Sequence, residues 1–249
     1  MSDQIGNLAK AAQLLRAVAA AGSEGATVAK LAASSGVSRP SAHRVCAKLE
    51  GIGWIERYGK KICLGPELAL LGLAALQRFP LEALARPYME DLSRKTGQTI
   101  SLMQRVGDEA ICIGRVEGAG HIRALLLEVG SRWPLGKGAA GMAILAALPE
   151  PEAETILKKN AHLIVDEPEE SLHDRLTAAR SKGHAAHTGL VLSGVSGLAA
   201  PIFDTADNVV ASVSVAFVAN WMEPDALETC RSGIPKLAQS ITNRLSKHE

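Results

Sequence analysis

The chain has 249 residues, 47% of them apolar, and a formal net charge of +1, which is enough to bury one or two cores. Its longest apolar stretch, around Leu68 to Leu76, falls far short of the ~20 residues of a membrane span, and no N-terminal segment has the pattern of a signal peptide. Cys46, Cys63, Cys112 and Cys230 lack CxxC spacing and are expected to be reduced thiols of a soluble, cytoplasmic protein.

The first predicted element is a helix from about Gly6 to Ala21, with Leu8, Ala12, Leu15 and Ala19 on one stripe. Thr27 can cap a second helix, in which Val28, Leu31 and Ala32 recur at helical spacing. Gly36 suits the left-handed residue that ends it, Val37 is placed to plug the gap between helices, and Ser38 is expected to cap a third helix with Pro40 in its first turn. In that third helix Ala42, Val45, Cys46 and Leu49 cluster towards a core. Arg44 and Lys48 point the other way with Pro40 and Ala47, flanked by Ser41 and His43. Two short helices joined by a tight turn, the second basic on its outer face, is the geometry that places a helix in the major groove of DNA. An ordinary solvated basic helix is the plainer alternative.

Gly51 and Gly53 then break the chain. Trp54–Arg57 and Lys61–Leu64 read as two strands around the bend Tyr58-Gly59-Lys60, a hairpin with a basic tip. The unit is read as a winged helix-turn-helix over residues 1–65. Thr27, Ser38, Arg39, Pro40, Ser41, His43, Arg44, Lys48, Tyr58, Lys60 and Lys61 are its candidate contacts to double-stranded DNA. Residues 1–65 hold nine Lys or Arg against four Asp or Glu, a net of +5, so the remainder carries −4. A basic head supplies the salt-dependent phosphate attraction of DNA binding, and an acidic body is not expected to touch DNA.

Residues 66–80 form a linker whose helix, Glu67 to Leu76, is apolar almost all round. Such a helix is buried either inside its own chain or across an interface between copies, and the second fits a reader of paired half-sites. Residues 81–249 form a second domain. Helices are expected at Leu81–Thr96, Ala139–Leu148, Glu152–Asn160, Pro168–Gly183 and Pro224 to about Lys247. Strands are expected at Thr99–Val106, Glu109–Glu117, His121–Val129, Gly197–Phe203 and Val209–Val218. This gives an α+β class, a sheet with helices on its faces.

Several blocks, in this order and spacing, resemble the IclR-type transcriptional regulators along essentially the whole chain. They are TVAKLAASSGVSRPSAHRVCAKLEGIGWIER, LGPELALLG, ARPYMEDLSRKTGQTISL, WPLGKGAAGMAILAALP and GVSGLAAPIFD. The resemblance implies a winged-helix head and a GAF/PAS-like effector-binding domain with a mostly antiparallel sheet and flanking helices. It also implies a homodimer or a dimer of dimers, and control by a small molecule.

The turn Gly136-Lys137-Gly138 delivers the chain to a helix that begins with the small residues Ala139, Ala140 and Gly141, leaving first-turn amides open to an oxyanion. Close packing alone is the bland alternative. The resemblance places an effector pocket here and adds Ile122, Leu125, His187, the loop Val195, Ser196 and Gly197, and Ser214. Many relatives carry a His before this turn and a Lys after its last glycine, where this chain has Gly136 and Met142. An acidic stretch is replaced by His187-Thr188-Gly189-Leu190, which favours an anionic or hydroxylated ligand, while the apolar lining equally admits an aromatic ring. An organic or aromatic acid is therefore the expected effector, with no cofactor.

Other classes find less support. A hydrolase-like domain, carrying a winged helix that binds no DNA, would draw on Ser193 or Ser214 with His187 and Asp204. No GxSxG elbow accompanies them. A metal site would combine His184 and His187 with Cys112 or His121, and exposed loop histidines are the simpler reading. A protein-interaction module is a third class, separable from a DNA binder by the salt response.

Overall fold

A computed structural model describes residues 2–78, 81–120, 127–164, 169–189, 191–218 and 221–247. The chain divides into two compact units, Met1–Pro80 and Leu81–Glu249.

In the first unit, α1 (Ser2–Ala20), α2 (Val28–Ser35) and α3 (Arg39–Gly51) pack around a core of Leu14, Val18, Leu31, Val37, Val45 and Leu49. The stripe expected on α1 is rotated. Leu8 is 73% exposed, and Leu14 and Val18, four residues apart, are the buried pair with Ala11 and Leu15 beside them. The run of small apolar residues in this helix left its facing side ambiguous by one position, about 100°. The oxygen Oγ1 of Thr27 accepts from the Lys30 amide at 3.4 Å, and Gly36 takes φ 69° to turn the chain between α2 and α3. Ser38 holds the cap position of α3, but its side chain makes no capping bond. Pro40, with no amide to satisfy, stands in the first turn instead.

The wing is three-stranded. Besides β2 (Ile55–Tyr58) and β3 (Lys61–Leu64), the two-residue β1 (Ala26–Thr27) pairs with β3, a strand too short to read from pattern. Helix α4 (Pro66–Arg78) ends the unit. Its Leu70, Leu71 and Leu73 are exposed, so burial inside the chain's own core does not hold for these three residues.

The second unit is a six-stranded sheet in the order β6-β5-β4-β9-β8-β7, with every registered pair antiparallel. Its strands are β4 (Ile100–Val106), β5 (Glu109–Val116), β6 (Arg132–Pro134), β7 (Ala185–Thr188), β8 (Val195–Phe203) and β9 (Val209–Val218). Alternate residues divide between two cores. Ile100, Leu102, Leu198, Ala200, Val213 and Val215 face α5 (Leu81–Thr96) and α9 (Pro224–Leu245). Met103, Cys112 and Ala199 face α6 (Gly138–Ala146), α7 (Glu150–Asn160) and α8 (Glu169–Lys182).

Two edge strands were not expected. β6 covers Arg-Trp-Pro, and β7 carries His187, which the sequence placed in a loop. Likewise Val195, Ser196 and Gly197 open β8 rather than forming a loop. Edge strands of three or four residues carry little alternation to read. Of the strand expected at His121–Val129, residues 121–126 lie outside the described residues, and Leu127–Val129 is not a strand. Helix α6 is buried all along its length from Gly138 to Leu145, and a Cβ on Gly141 would sit 3.0 Å from the Pro134 carbonyl oxygen. Glycine here lets the helix lie against β6.

Candidate DNA-binding face and ligand recess

On α3 the residues facing inward are Ala42, Val45, Cys46 and Leu49, as the periodicity requires. Ser38, Arg39, Pro40, His43, Arg44, Ala47 and Lys48 are exposed and Ser41 half-buried, so the polar candidates share one outward face. Arg39, Arg44 and Lys48 make no ion pair among the described residues, which leaves their charges available to phosphate or to guanine edges.

The wing cations differ in this respect. Arg57 donates from Nε and Nη2 to Glu50 at 3.4 and 3.3 Å, tying β2 to the end of α3. Lys61 pairs with Glu24 at 3.2 Å, whereas Lys60 at the tip, beside Gly59 with φ 61°, makes no ion pair among the described residues. The Tyr58 hydroxyl donates to Glu56 at 2.6 Å, and that bond raises the phenol above its ordinary pKa. Thr27 is exposed, but its hydroxyl is already engaged in capping α2. Glu50 carries no sequence signal for its role, because its partner Arg57 lies on another element, whereas Glu56 holds Tyr58 two residues along the same strand.

The second unit contains a narrow recess between the sheet and the start of α6. Of the expected residues, Ala139, Ala140, His187, Gly197 and Ser214 line it together. Gly138 stands beside it. With φ 63°, a Cβ there would meet the Trp133 ring at 3.0 Å and Val191 at 3.5 Å. Gly141 packs on Pro134, and Val195 and Ser196 are not in the lining. The Ser196 hydroxyl instead hydrogen-bonds Thr188 at 2.9 Å. Ile122 and Leu125 lie outside the described residues. Thr99, Ser101, Leu127, Trp133, Val191 and Ala216 complete the walls and were not singled out. Thr99 and Ser101 carry a readable signal, two hydroxyls spaced i, i+2 that alternate with the apolar Ile100 and Leu102.

The recess is polar at the α6 end. No side chain caps α6, since Lys137 at the cap position reaches over the Trp133 ring at 5.3 Å, so the first-turn amides have no side-chain acceptor. Arg175 donates from Nη2 to the Gly138 carbonyl at 3.0 Å. The Nδ1 atom of His187 is buried and makes no hydrogen bond among the described residues. Burial, and secondarily the charge of Arg175, pull this imidazole down to a pKa of about 4, so it is neutral at ordinary pH. Free amides, a guanidinium nearby and an unpartnered imidazole suit a ligand oxyanion.

The competing site chemistries are not assembled. Asp204 sits in the β8–β9 turn, held by the amides of Ala206 and Asn208. It lies seven residues beyond Gly197, the register partner of His187, on the order of 20 Å along the strand. His184 bonds the Lys182 carbonyl at 3.0 Å, and the described residues hold no group of three metal-ligating side chains. His121, the other histidine proposed for a metal, lies outside the described residues. None of the described helices is long and apolar enough to cross a membrane.

Comparison with known proteins agrees along the whole chain. Residues 73–243 match the family described as the bacterial transcriptional regulator IclR C-terminal domain, and residues 7–59 match the IclR helix-turn-helix domain. The HTH-type transcriptional regulator KipR of Bacillus subtilis is 28% identical over 226 residues, covering 88% of this chain and 89% of that protein. An IclR-type regulator from Alicyclobacillus acidocaldarius superposes with a TM-score of 0.80 at 24% identity, covering 96% of this chain and 98% of its own. An IclR homologue from Microbacterium hydrocarbonoxydans, solved with 4-hydroxybenzoate, gives 0.75 at 21% identity, covering 97% and 99%.

Proposed function

Because the chain belongs to the IclR family of DNA-binding transcriptional regulators, we propose that α3 enters the major groove and that an organic or aromatic acid in the recess beside α6 controls its binding. The observation that carries the DNA reading is the outward face of α3, where Arg39, Arg44 and Lys48 make no ion pair among the described residues, on a helix fixed by the Gly36 turn. Lys60 adds a phosphate contact from the wing tip, with Ser38, Ser41, His43 and Tyr58 completing the contact set. A bound carboxylate is received by the amides of Ala139 and Ala140 and by His187. The homologue that binds 4-hydroxybenzoate supports an aromatic acid as a probe.

The division of labour follows residues 1–65 for DNA, 66–80 for the linker and 81–249 for the effector. The exposed leucines of α4 support assembly of the chain as a homo-oligomer, and cytoplasmic residence follows from the proposed role on chromosomal DNA. The test is fluorescence anisotropy with duplexes selected by the protein from random DNA, titrated against salt with and without the acid. A log–log salt slope falling by about 0.9 per phosphate contact is expected. A flat salt response, or a titration untouched by every acid tried, overturns the respective half of the reading.

A further inference from the structure

We propose that the second unit holds a further ligand site, a cavity at the far end of α6 that takes a small neutral aromatic molecule carrying one hydrogen-bond donor. It shares no wall residue with the recess beside the start of that helix, so it stands or falls independently of the acid site.

The cavity opens where one strand stops short. β7 begins at Ala185, whose register partner is Ala199, so Pro201 and Phe203 on β8 run on past its end. Phe203 packs on the same side of the sheet as Ala199, towards α6. Only small side chains meet it there, Ala143, Ala146 and Ala147 on one face of α6 and Ala179 on α8. A space of about 220 Å³ is left between these methyl groups, Pro201 and the Phe203 ring. An apolar cavity of about 150 Å³ is already large enough to bind benzene. Unfilled apolar space forfeits the contacts its lining would otherwise make, so an apolar guest is favoured.

The two polar residues of the walls decide what else that guest carries. Arg180 donates from Nε to the Ala146 carbonyl at 3.3 Å and from Nη2 to the Leu148 carbonyl at 3.4 Å, which holds the end of α6 to α8. Its Nη1 stands 3.9 Å from Glu150. Every nitrogen of the guanidinium thus has an acceptor, and the walls offer no free cation to an anionic ligand. The flat face of a guanidinium still stacks on an aromatic ring. His184, half-buried in the turn that joins α8 to β7, donates from Nδ1 to the Lys182 carbonyl at 3.0 Å. A carbonyl only accepts, so Nδ1 carries the proton and Nε2 is the acceptor that the ring has to offer. One acceptor beside apolar walls selects one donor, such as a phenolic hydroxyl.

The experiment follows the isotope-labelled alanine methyl groups of the full-length protein by NMR during titration with p-cresol and with p-xylene, its counterpart without the hydroxyl. p-Cresol is expected to shift the signals of Ala143, Ala146, Ala147 and Ala179 and to leave those of Ala139 and Ala140, in the recess, in place. It is expected to bind about fivefold more tightly than p-xylene, the effect of one hydrogen bond, and His184→Leu to bring the two within about twofold. Ala147→Leu, which fills the cavity, is expected to abolish the binding that Ala140→Leu, which fills the recess, leaves unchanged. No shift at the four alanines in wild type, shifts confined to Ala139 and Ala140, or binding retained in Ala147→Leu overturns the site. Shifts that follow protein concentration rather than p-cresol mean that a second copy covers the cavity, and overturn it equally. Equal affinity of wild type for p-cresol and p-xylene overturns the selection for a donor.

Discussion

The imidazole of His187 lies so close over Gly197 that a Cβ on the glycine would stand 2.6 Å from Nε2. The two residues are register partners on β7 and β8, and Ala139 at the start of α6 closes over the same spot. Glycine here makes room for a ring rather than for a turn. Gly197→Ala is therefore expected to push His187 out of its place and weaken acid binding by tenfold or more, while the melting temperature moves by only a few degrees. Unchanged affinity in calorimetry would remove His187 from the ligand contacts.

His187 also gives the second unit a pH signature. Its folded pKa of about 4 lies below the ordinary 6.5, because burial, aided by Arg175, disfavours the charged ring. Between those values the unfolded chain binds more protons, so stability falls as pH drops from about 6.5 towards 4 and is unaffected by this group above 6.5. The full penalty is at most on the order of 3 kcal/mol. Urea midpoints measured at pH 7 and pH 5 are expected to converge in His187→Gln relative to wild type, and equal pH dependence in the two proteins would place the ring in solvent.

On the DNA side, the unpaired outward cations separate into two kinds. Arg44→Ala is expected to cost on the order of 1–3 kcal/mol at a selected duplex and to relax its sequence preference, because in the proposed docking of α3 its guanidinium meets base edges. Lys60→Ala is expected to weaken all duplexes alike and to lower the salt slope by about one contact per protomer. Lys61→Ala should do less, because its charge is already offset by Glu24. Anisotropy titrations at several salt concentrations distinguish the three, and a Lys61 effect equal to that of Lys60 would contradict the pairing.

How far the sequence could be read depended on the range of the interaction that fixes each feature. The turn at Gly36, the inward set Ala42, Val45, Cys46 and Leu49, and the small residues opening α6 are specified by neighbours within one or two turns, and they stand where the pattern put them. β7 and β6 are sheet edges set by partners distant in the chain, so His187 was read into a loop and Trp133 was passed over. Ser101 joins the recess only because β9 lies beside β4, more than a hundred residues away in sequence. On α1, where alanines populate every side, no local pattern distinguished the stripe at Leu8 from the one at Leu14.

The apolar character of α4 bears on assembly. Leu70, Leu71 and Leu73 are all more than half exposed, Leu73 by 60%, on a 13-residue helix. Three neighbouring leucines left in water form the kind of patch that marks a contact between proteins. Burying one leucine contributes roughly 1.5–3 kcal/mol, so three per protomer are sufficient to hold two copies together at micromolar concentration. Leu73→Glu places a charge in that patch and is expected to lower the mass measured by light scattering and to weaken DNA binding cooperatively, because paired half-sites need a paired reader. An unchanged mass would move the contact elsewhere. Loss of DNA affinity without a change in mass would mean that α4 acts on the helix-turn-helix directly rather than through a second copy.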